Sequence, residues 1–361
     1  MASKVATKPS NGVWHLCTVV MHLCFISLNE YPKLYLKYDF FQYLWDISEK
    51  DMNLLNFNEI YPDELSCKLK FKEIRDKEGI VCAHCGCKDH YWKSDKWQYE
   101  CKKCGFRTTL RSGTVMHGSK LPFRYWFIAM HLLTSTKKSF SAKEVQRQLS
   151  HKRYEPIWGM LHKLRQAMGK RDGQYQLSGQ IELDEGFFST EIADEEKNKP
   201  LKRGRGSQKK TKVLVMAESK AVEGETKKNG KPRRVRFIKM QVIDDLKAAT
   251  ITPVVEKEVS PTSQLTTDDS TSYVNLKDVV EKHEPQVVPK EKVGQMLPWV
   301  HIAISNAKRM LLDIHHDIKP DHLQNYLDEF CYNFNRRYFG EALFDRLLIA
   351  SASNKNEFRY R

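Results

Sequence analysis

Two short cysteine pairs carry the clearest chemistry. Cys82 and Cys85 bracket two residues, as do Cys101 and Cys104, and fifteen residues separate the pairs. Each pair puts two thiolates on one tight knuckle, and two knuckles complete a tetrahedron around Zn²⁺ at Zn–S distances of ~2.3 Å. Four thiolates leave no open position for water, so the expected zinc is structural. Gly86 and Gly105 directly follow the knuckles, where the turn benefits from positive φ. His84 and Cys87 lie close by, but either could replace a thiolate only by breaking the paired geometry. The other five of the nine cysteines are scattered. That distribution suits a reducing compartment and a metal site better than a disulfide framework.

A second candidate centre is acidic. Asp184 interrupts an apolar strand-like run with Ile181, Leu183 and Phe187 around it. A carboxylate there is costly unless paired or bound to metal. Asp268 ends another such run, before the turn to Tyr273. Alone it reads as a turn-capping aspartate. Together the two could bridge Mg²⁺ or Mn²⁺ through hard oxygen ligands, as in two-metal phosphoryl chemistry.

The elements that must position these groups follow from periodicity. Residues 181–185, 212–216 and 235–243 read as strands, 248–259 as a helix, 264–268 as a fourth strand and 273–282 as a helix. Two longer helices are expected over 298–314 and 320–338, with Pro298 and Pro320 at their first positions. The segment 191–210 reads as a mobile loop. The expected fold class is α/β, a ribonuclease-H-like mixed sheet with flanking helices, preceded by a zinc ribbon and a helix-turn-helix-like segment. The expected divisions are an N-terminal extension (1–51), a zinc-ribbon domain (52–115), a helical segment (116–175), the catalytic domain (176–345) and a C-terminal tail (346–361). The apolar stretch within 1–51 imitates a secretory signal but lacks a cleavage site, and Met52 is the expected working start.

The 361 residues carry 60 Lys and Arg against 45 Asp and Glu, a net charge of +15. Such a surplus suits an anionic partner, through release of counterions from phosphates. Ser141 and Glu144 form a capping-box pattern before a short helix, and a longer helix follows from about Pro156 to Lys170. This pair reads either as a helix-turn-helix, offering His162, Lys163, Arg165 and Lys170 to a major groove, or as a plain helical linker. The basic ribbon touches either DNA backbone or protein. The sequence has no uninterrupted apolar run of membrane-spanning length, so no membrane is expected.

Taken in order, the zinc ribbon, Leu183-Asp184-Glu185, Thr267-Asp268-Asp269 with Tyr273, Asn306-Ala307-Lys308-Arg309 and the tail from His322 to Arg337 resemble the zinc-ribbon DDE-type transposases of the ISXO-like group. The likeness runs from about Cys82 to Phe339. It implies a ribonuclease-H-like catalytic domain that cuts insertion-sequence ends and transfers them into target DNA. It also implies a homo-oligomer on DNA in the bacterial cytoplasm, with structural zinc and catalytic Mg²⁺ or Mn²⁺. Asp184 and Asp268 are implied as the first two metal-holding catalytic residues. The third position departs from the expected acid, and the family tolerates Asn there. A buried helical stripe through Ala303, Ala307, Met310, Leu311 and Ile314 puts Asn306 on its flank and His301 further away, which favours Asn306 with His301 as the alternative. Lys163, Arg165, Lys202, Arg203, Arg205, Lys209, Lys210, Lys308 and Arg309 are the expected DNA contacts, along with the basic run 227–236. Two other readings stay open: a zinc-ribbon DNA-binding regulator without catalysis, and a decayed, inactive transposase.

Overall fold

The computed structural model describes residues 52–222, 232–287, 296–340, 342–355 and 357–358. The extension 1–51 and the first half of the basic run 227–236, residues 227–231, therefore lie outside the described residues. Two helices, α1 (Leu54–Ile60) and α2 (Glu64–Glu78), come first. Asp63 caps α2 in a reciprocal box with Ser66, as its extended backbone and short carboxylate allow. A three-stranded antiparallel ribbon follows, with β1 (His90–Lys93), β2 (Gln98–Cys101) and β3 (Arg107–Thr109). Its aromatics dock it on α2: the Tyr99 hydroxyl donates to Asp76 at 2.7 Å, and the Lys72 ammonium lies 4.6 Å from the Trp92 ring centroid.

The helices α3 (Phe123–Ser135), α4 (Ala142–Gln148) and α5 (Glu155–Asp172) share one core with α1 and α2. Phe57, Phe71, Trp126, Phe127, Leu161 and Leu164 sit at its centre. The last helix, α9 (Ala342–Ser353), returns to this core with Leu347 and Leu348 fully buried. The segment expected as a C-terminal tail from 346 begins inside this helix, which packs against the N-terminal helices.

Five strands form the second sheet: β4 (Gln180–Ser189), β5 (Lys210–Ala221), β6 (Arg233–Ile243), β7 (Gln264–Asp268) and β8 (Lys282–Gln286). They lie in the order β6-β5-β4-β7-β8, antiparallel on the β6-β5-β4 side and parallel on the β4-β7-β8 side. This mixed order is the ribonuclease-H-like arrangement expected from the sequence. The run Val213–Ala217 is buried throughout, because β5 is covered on both faces. Helix α6 (Ala248–Glu258) and a 3-10 turn (Thr271–Asp278) cover one face, and α7 (Pro298–Ile314) and α8 (Pro320–Asn335) cover the other. The expected helix 273–282 is the 3-10 turn, and the expected four strands are five. Strand β8 is polar and contains Pro285, which an edge strand tolerates.

Helix α8 also closes the open edge of β6. Gln324 accepts from the Val242 amide and donates to the Met240 carbonyl, and Asn335 makes the same two bonds at Ile238. Side-chain amides thereby stand in for a neighbouring strand. The same helix anchors α5 through buried polar pairs. Arg165 Nε lies 2.6 Å from Glu329 with both side chains 1% exposed, Asn325 meets His162 at 3.0 Å, and Arg336 pairs with Asp172.

This arrangement corrects the helix-turn-helix expectation. Helices α3, α4, α8 and α9 pack around α5, and Arg165 and His162 are both buried. Neither can reach a groove of DNA, and Lys163 is half-buried with its ammonium directed at the His117 carbonyl at 3.4 Å. Among the described residues, no helix is long and apolar enough to cross a membrane.

Removing one partner of a dry ion pair strands the other charge. Arg165→Met is therefore expected to lower unfolding free energy by ~3–5 kcal/mol in urea titrations. The double variant Arg165→Met with Glu329→Met should regain much of that loss. A silent Arg165→Met would contradict the structural role assigned to this pair.

Candidate active site

The ribbon knuckles are near copies of each other. In the first, Gly86 N donates to Cys82 O and Cys82 N to Cys87 O, both at 2.9 Å. In the second, Gly105 N donates to Cys101 O and Cys101 N to Phe106 O, again at 2.9 Å. Both glycines adopt φ of +70°, the left-handed turn that glycine tolerates best. The four sulfurs lie within 4.8 Å of one another, with Cys82–Cys104 and Cys85–Cys101 at 3.6 Å. A tetrahedron with Zn–S bonds of ~2.3 Å has edges of about 3.8 Å, so the donor set fits zinc. Cys87 turns away, its sulfur accepting from the Asp89 amide at 3.4 Å.

The acidic centre forms where two parallel strands part. The β4–β7 ladder ends at Glu182 and Thr266, and the next inward positions on each strand bring Asp184 and Asp268 together. Their carboxylates and that of Glu185 lie within 4.8 Å of one another. Glu185 was not among the expected site residues. Alternation along β4 would send it to the face opposite Asp184, but the parted strands leave room for both. Burial first, and then the Asp184 and Asp268 charges, push the Glu185 carboxyl up to about 7 against the partly offsetting Tyr273 hydroxyl. Three acids this close favour a cation, and hard oxygen donors suit Mg²⁺ or Mn²⁺.

Helix α7 supplies the fourth side chain. His301 Nδ1 stands 3.8 Å from Asp184 Oδ2. The buried stripe of α7 runs through Val300, Ala303, Ile304, Ala307 and Leu311 rather than through Met310 and Ile314. Asn306, five residues beyond His301, is turned from it by about 140° around the helix. Of the two candidates Asn306 and His301, the structure places His301 by the carboxylates, on a flank it shares with Lys308. Close approach is possible because Gly186 has no side chain, and a Cβ there would come within 2.8 Å of the Phe188 ring and 3.4 Å of Ile304.

The basic residues distribute unevenly. Lys308 lies over the Phe188 ring at 5.6 Å, and burial and then Lys210 lower its pKa. Lys202, Arg203, Lys209, Lys210 and Arg309 are exposed. The Arg205 side chain lies outside the described residues. The 191–209 segment folds back on itself, with the Gln208 side chain bonded to Lys202 N and Pro200 O at 2.9 and 2.8 Å. Together with β5 and the start of α8 it lines a groove of about 850 Å³ that includes Lys199, Lys202, Lys210 and Lys212.

The sheet and its carboxylates define an α/β protein with a ribonuclease-H-like strand order and a candidate divalent-metal site. Residues 176–335 match the family model described as the ISXO2-like transposase domain. A similar curated protein is an uncharacterized protein in transposable element ISH50 of Halobacterium salinarum, 24% identical over 157 residues. The match covers 40% of this chain and 52% of that protein, so the chain spans about half the length of the relative. Solved structures of a pre-cleavage Mos1 transpososome and of the Mos1 strand transfer complex align over 67% of this chain and 82% of theirs, at 12% identity and a TM-score of 0.25.

Two outcomes are expected from this geometry. Metal analysis should find one tightly held zinc that Cys101→Ser abolishes, and retention of zinc by that variant would refute the site. For Glu185, a folded-state pKa raised from 4.5 to about 7 means stability present below the lower value and lost as pH rises to the upper one. In buffer free of Mg²⁺ and Mn²⁺, Glu185→Gln should therefore gain stability over the wild type progressively from pH 5 to pH 8. A gap that does not change with pH would contradict the crowding of these acids.

Proposed function

We propose that this protein is a DDE-type transposase that cleaves DNA at insertion-sequence ends and joins the freed 3′-hydroxyl to target DNA. The observation that carries this reading is the gathering of Asp184, Glu185 and Asp268 at the parted ends of parallel strands. The transposase domain matched over 176–335 and the relative's place in a transposable element support it.

Asp184 and Asp268 are the residues that would hold divalent ions, with Glu185 beside them. Such ions, when bound, would supply activation of a water or 3′-hydroxyl and stabilisation of the leaving oxygen. The chain's own contribution is positional. Asp184 is fixed by accepting from the Glu185 amide at 2.7 Å, and Asp268 by accepting from the Ser270 amide at 3.3 Å. His301 brings an imidazole to the Asp184 side, where it can orient that carboxylate or receive a proton. Lys210 and Lys308, close enough for their charges to act on each other, meet phosphates of the DNA flanking the cut, and the exposed Lys202, Arg203, Lys209 and Arg309 extend this contact. Arg205 and the 227–236 run are further proposed contacts. Zinc at Cys82, Cys85, Cys101 and Cys104 holds the ribbon together.

Strand cleavage on DNA carrying the element's ends, with Mg²⁺ or Mn²⁺, tests the reading. Asp184→Ala and Asp268→Ala should each fall to background while DNA affinity survives, because affinity rests on many Lys and Arg contacts. His301→Ala should lose more activity than Asn306→Ala. Cleavage by Asp184→Ala would end the enzyme reading. Binding without cleavage by the wild type would favour a regulator or an inactive transposase.

A further inference from the structure

The start of α7 has no cap of its own. Its N-cap residue is Leu297, a buried hydrocarbon at φ +53° that makes no side-chain hydrogen bond to the helix. The first helical residue is Pro298, which has no N–H. The amides of Trp299 and Val300 are those an N-cap side chain would ordinarily receive. Both instead donate to one oxygen of Glu182, at 2.7 and 3.1 Å. Glu182 lies on β4, more than a hundred residues away in sequence, and two residues before Asp184. Residues two apart on a strand share a face. One strand face thus carries both a carboxylate of the acidic centre and the cap of the helix that brings His301 to it.

We propose that Glu182 is a positioning residue for the active site: its carboxylate caps α7 across the fold and so sets His301 against Asp184. The helix N-terminus favours a negative charge on general electrostatic grounds, and two good hydrogen bonds give that preference a direction. His301 follows Val300 directly, and its own amide donates to the Leu297 carbonyl at 3.2 Å. Fixing the Trp299 and Val300 amides therefore fixes the backbone that carries His301. The fold uses the same device a second time, where Glu64 receives the Phe123 and Arg124 amides, both at 3.0 Å, at the start of α3. There too the N-cap residue, Pro122, offers no side-chain bond. The proposal reaches catalysis through the cleavage reading above, but the capping itself can be measured without it.

The test compares wild type, Glu182→Ala, Glu182→Gln and Asp184→Ala in the full-length zinc-loaded protein. Hydrogen exchange followed by mass spectrometry should show faster uptake over residues 297–303 in Glu182→Ala, while Glu182→Gln, whose amide oxygen still accepts, keeps most of the protection. Asp184→Ala should leave this segment protected. In the cleavage assay, Glu182→Ala should lose between about tenfold and ~10²-fold in kcat, the cost of roughly 1 Å of misplacement. Its KM for DNA should be unchanged, and Glu182→Gln should recover most of the rate. Unaltered uptake over 297–303 in Glu182→Ala, or a Glu182→Gln variant no better protected than Glu182→Ala, would overturn the proposal. Should Glu182→Ala fail to fold, Glu182→Gln still decides: loss of most of its protection over 297–303 would overturn the proposal. If the wild type binds element ends and never cuts them, the function falls while the exchange data still judge the cap.

Discussion

Three carboxylates within 4.8 Å of each other repel, and the rest of this fold is arranged around holding them there. Repulsion of this kind is tolerable in two ways: a proton shared into the cluster, or a cation between its members. The upward shift of Glu185, caused first by burial and then by the neighbouring charges, favours the first in the metal-free protein. The second is the one that gives the cluster a use. Two parallel strands whose pairing stops just short of Asp184 and Asp268 provide the opening. A continued ladder would fill the same space with backbone hydrogen bonds.

Strand β4 is read by α7 at four alternate positions. Glu182 caps the helix, Asp184 meets His301, Gly186 admits Ile304, and Phe188 lies under Lys308. The register of one helix against one strand therefore sets which helical residues reach the acids. Behind this pair, α8 does different work. Its polar residues, which the sequence alone makes look like a functional motif, mostly stabilise structure: Gln324 and Asn335 complete the edge of β6, Asn325 and Glu329 anchor α5, and Arg336 neutralises Asp172. Each such pair satisfies a group that would otherwise be buried alone. The five-stranded sheet, through α8, and the N-terminal helices are thereby joined by charged side chains as well as by the apolar contacts of Tyr332.

Local features were legible in the sequence, and long-range ones were not. The ribbon follows from cysteine spacing, because both knuckles close within a few residues. Asp184 and Asp268 stand out as acids in or at the end of apolar strands. Glu185 escaped because strict alternation assigns it to the wrong face. Arg165 was misread because a charged residue on a helix normally faces water, and its neutralising partner Glu329 is 164 residues away. His301 lost to Asn306 when the buried stripe of α7 was drawn through Met310 and Ile314. The actual stripe, through Val300 and Ile304, turns the helix so that His301 faces the acids. The loop-like polarity of β8 and the apparent tail that became α9 fail for the same reason: what they pack against lies elsewhere in the chain.

The central claim is that the acidic cluster is a divalent-cation site built by the parting of β4 from β7. It is tested most directly by titrating Mn²⁺ into the zinc-loaded, DNA-free protein and following the free ion by electron paramagnetic resonance. The account predicts saturable binding by the wild type that disappears in the Asp184→Asn, Asp268→Asn double variant, with the ribbon zinc retained. Equal Mn²⁺ uptake by the wild type and that double variant would contradict it.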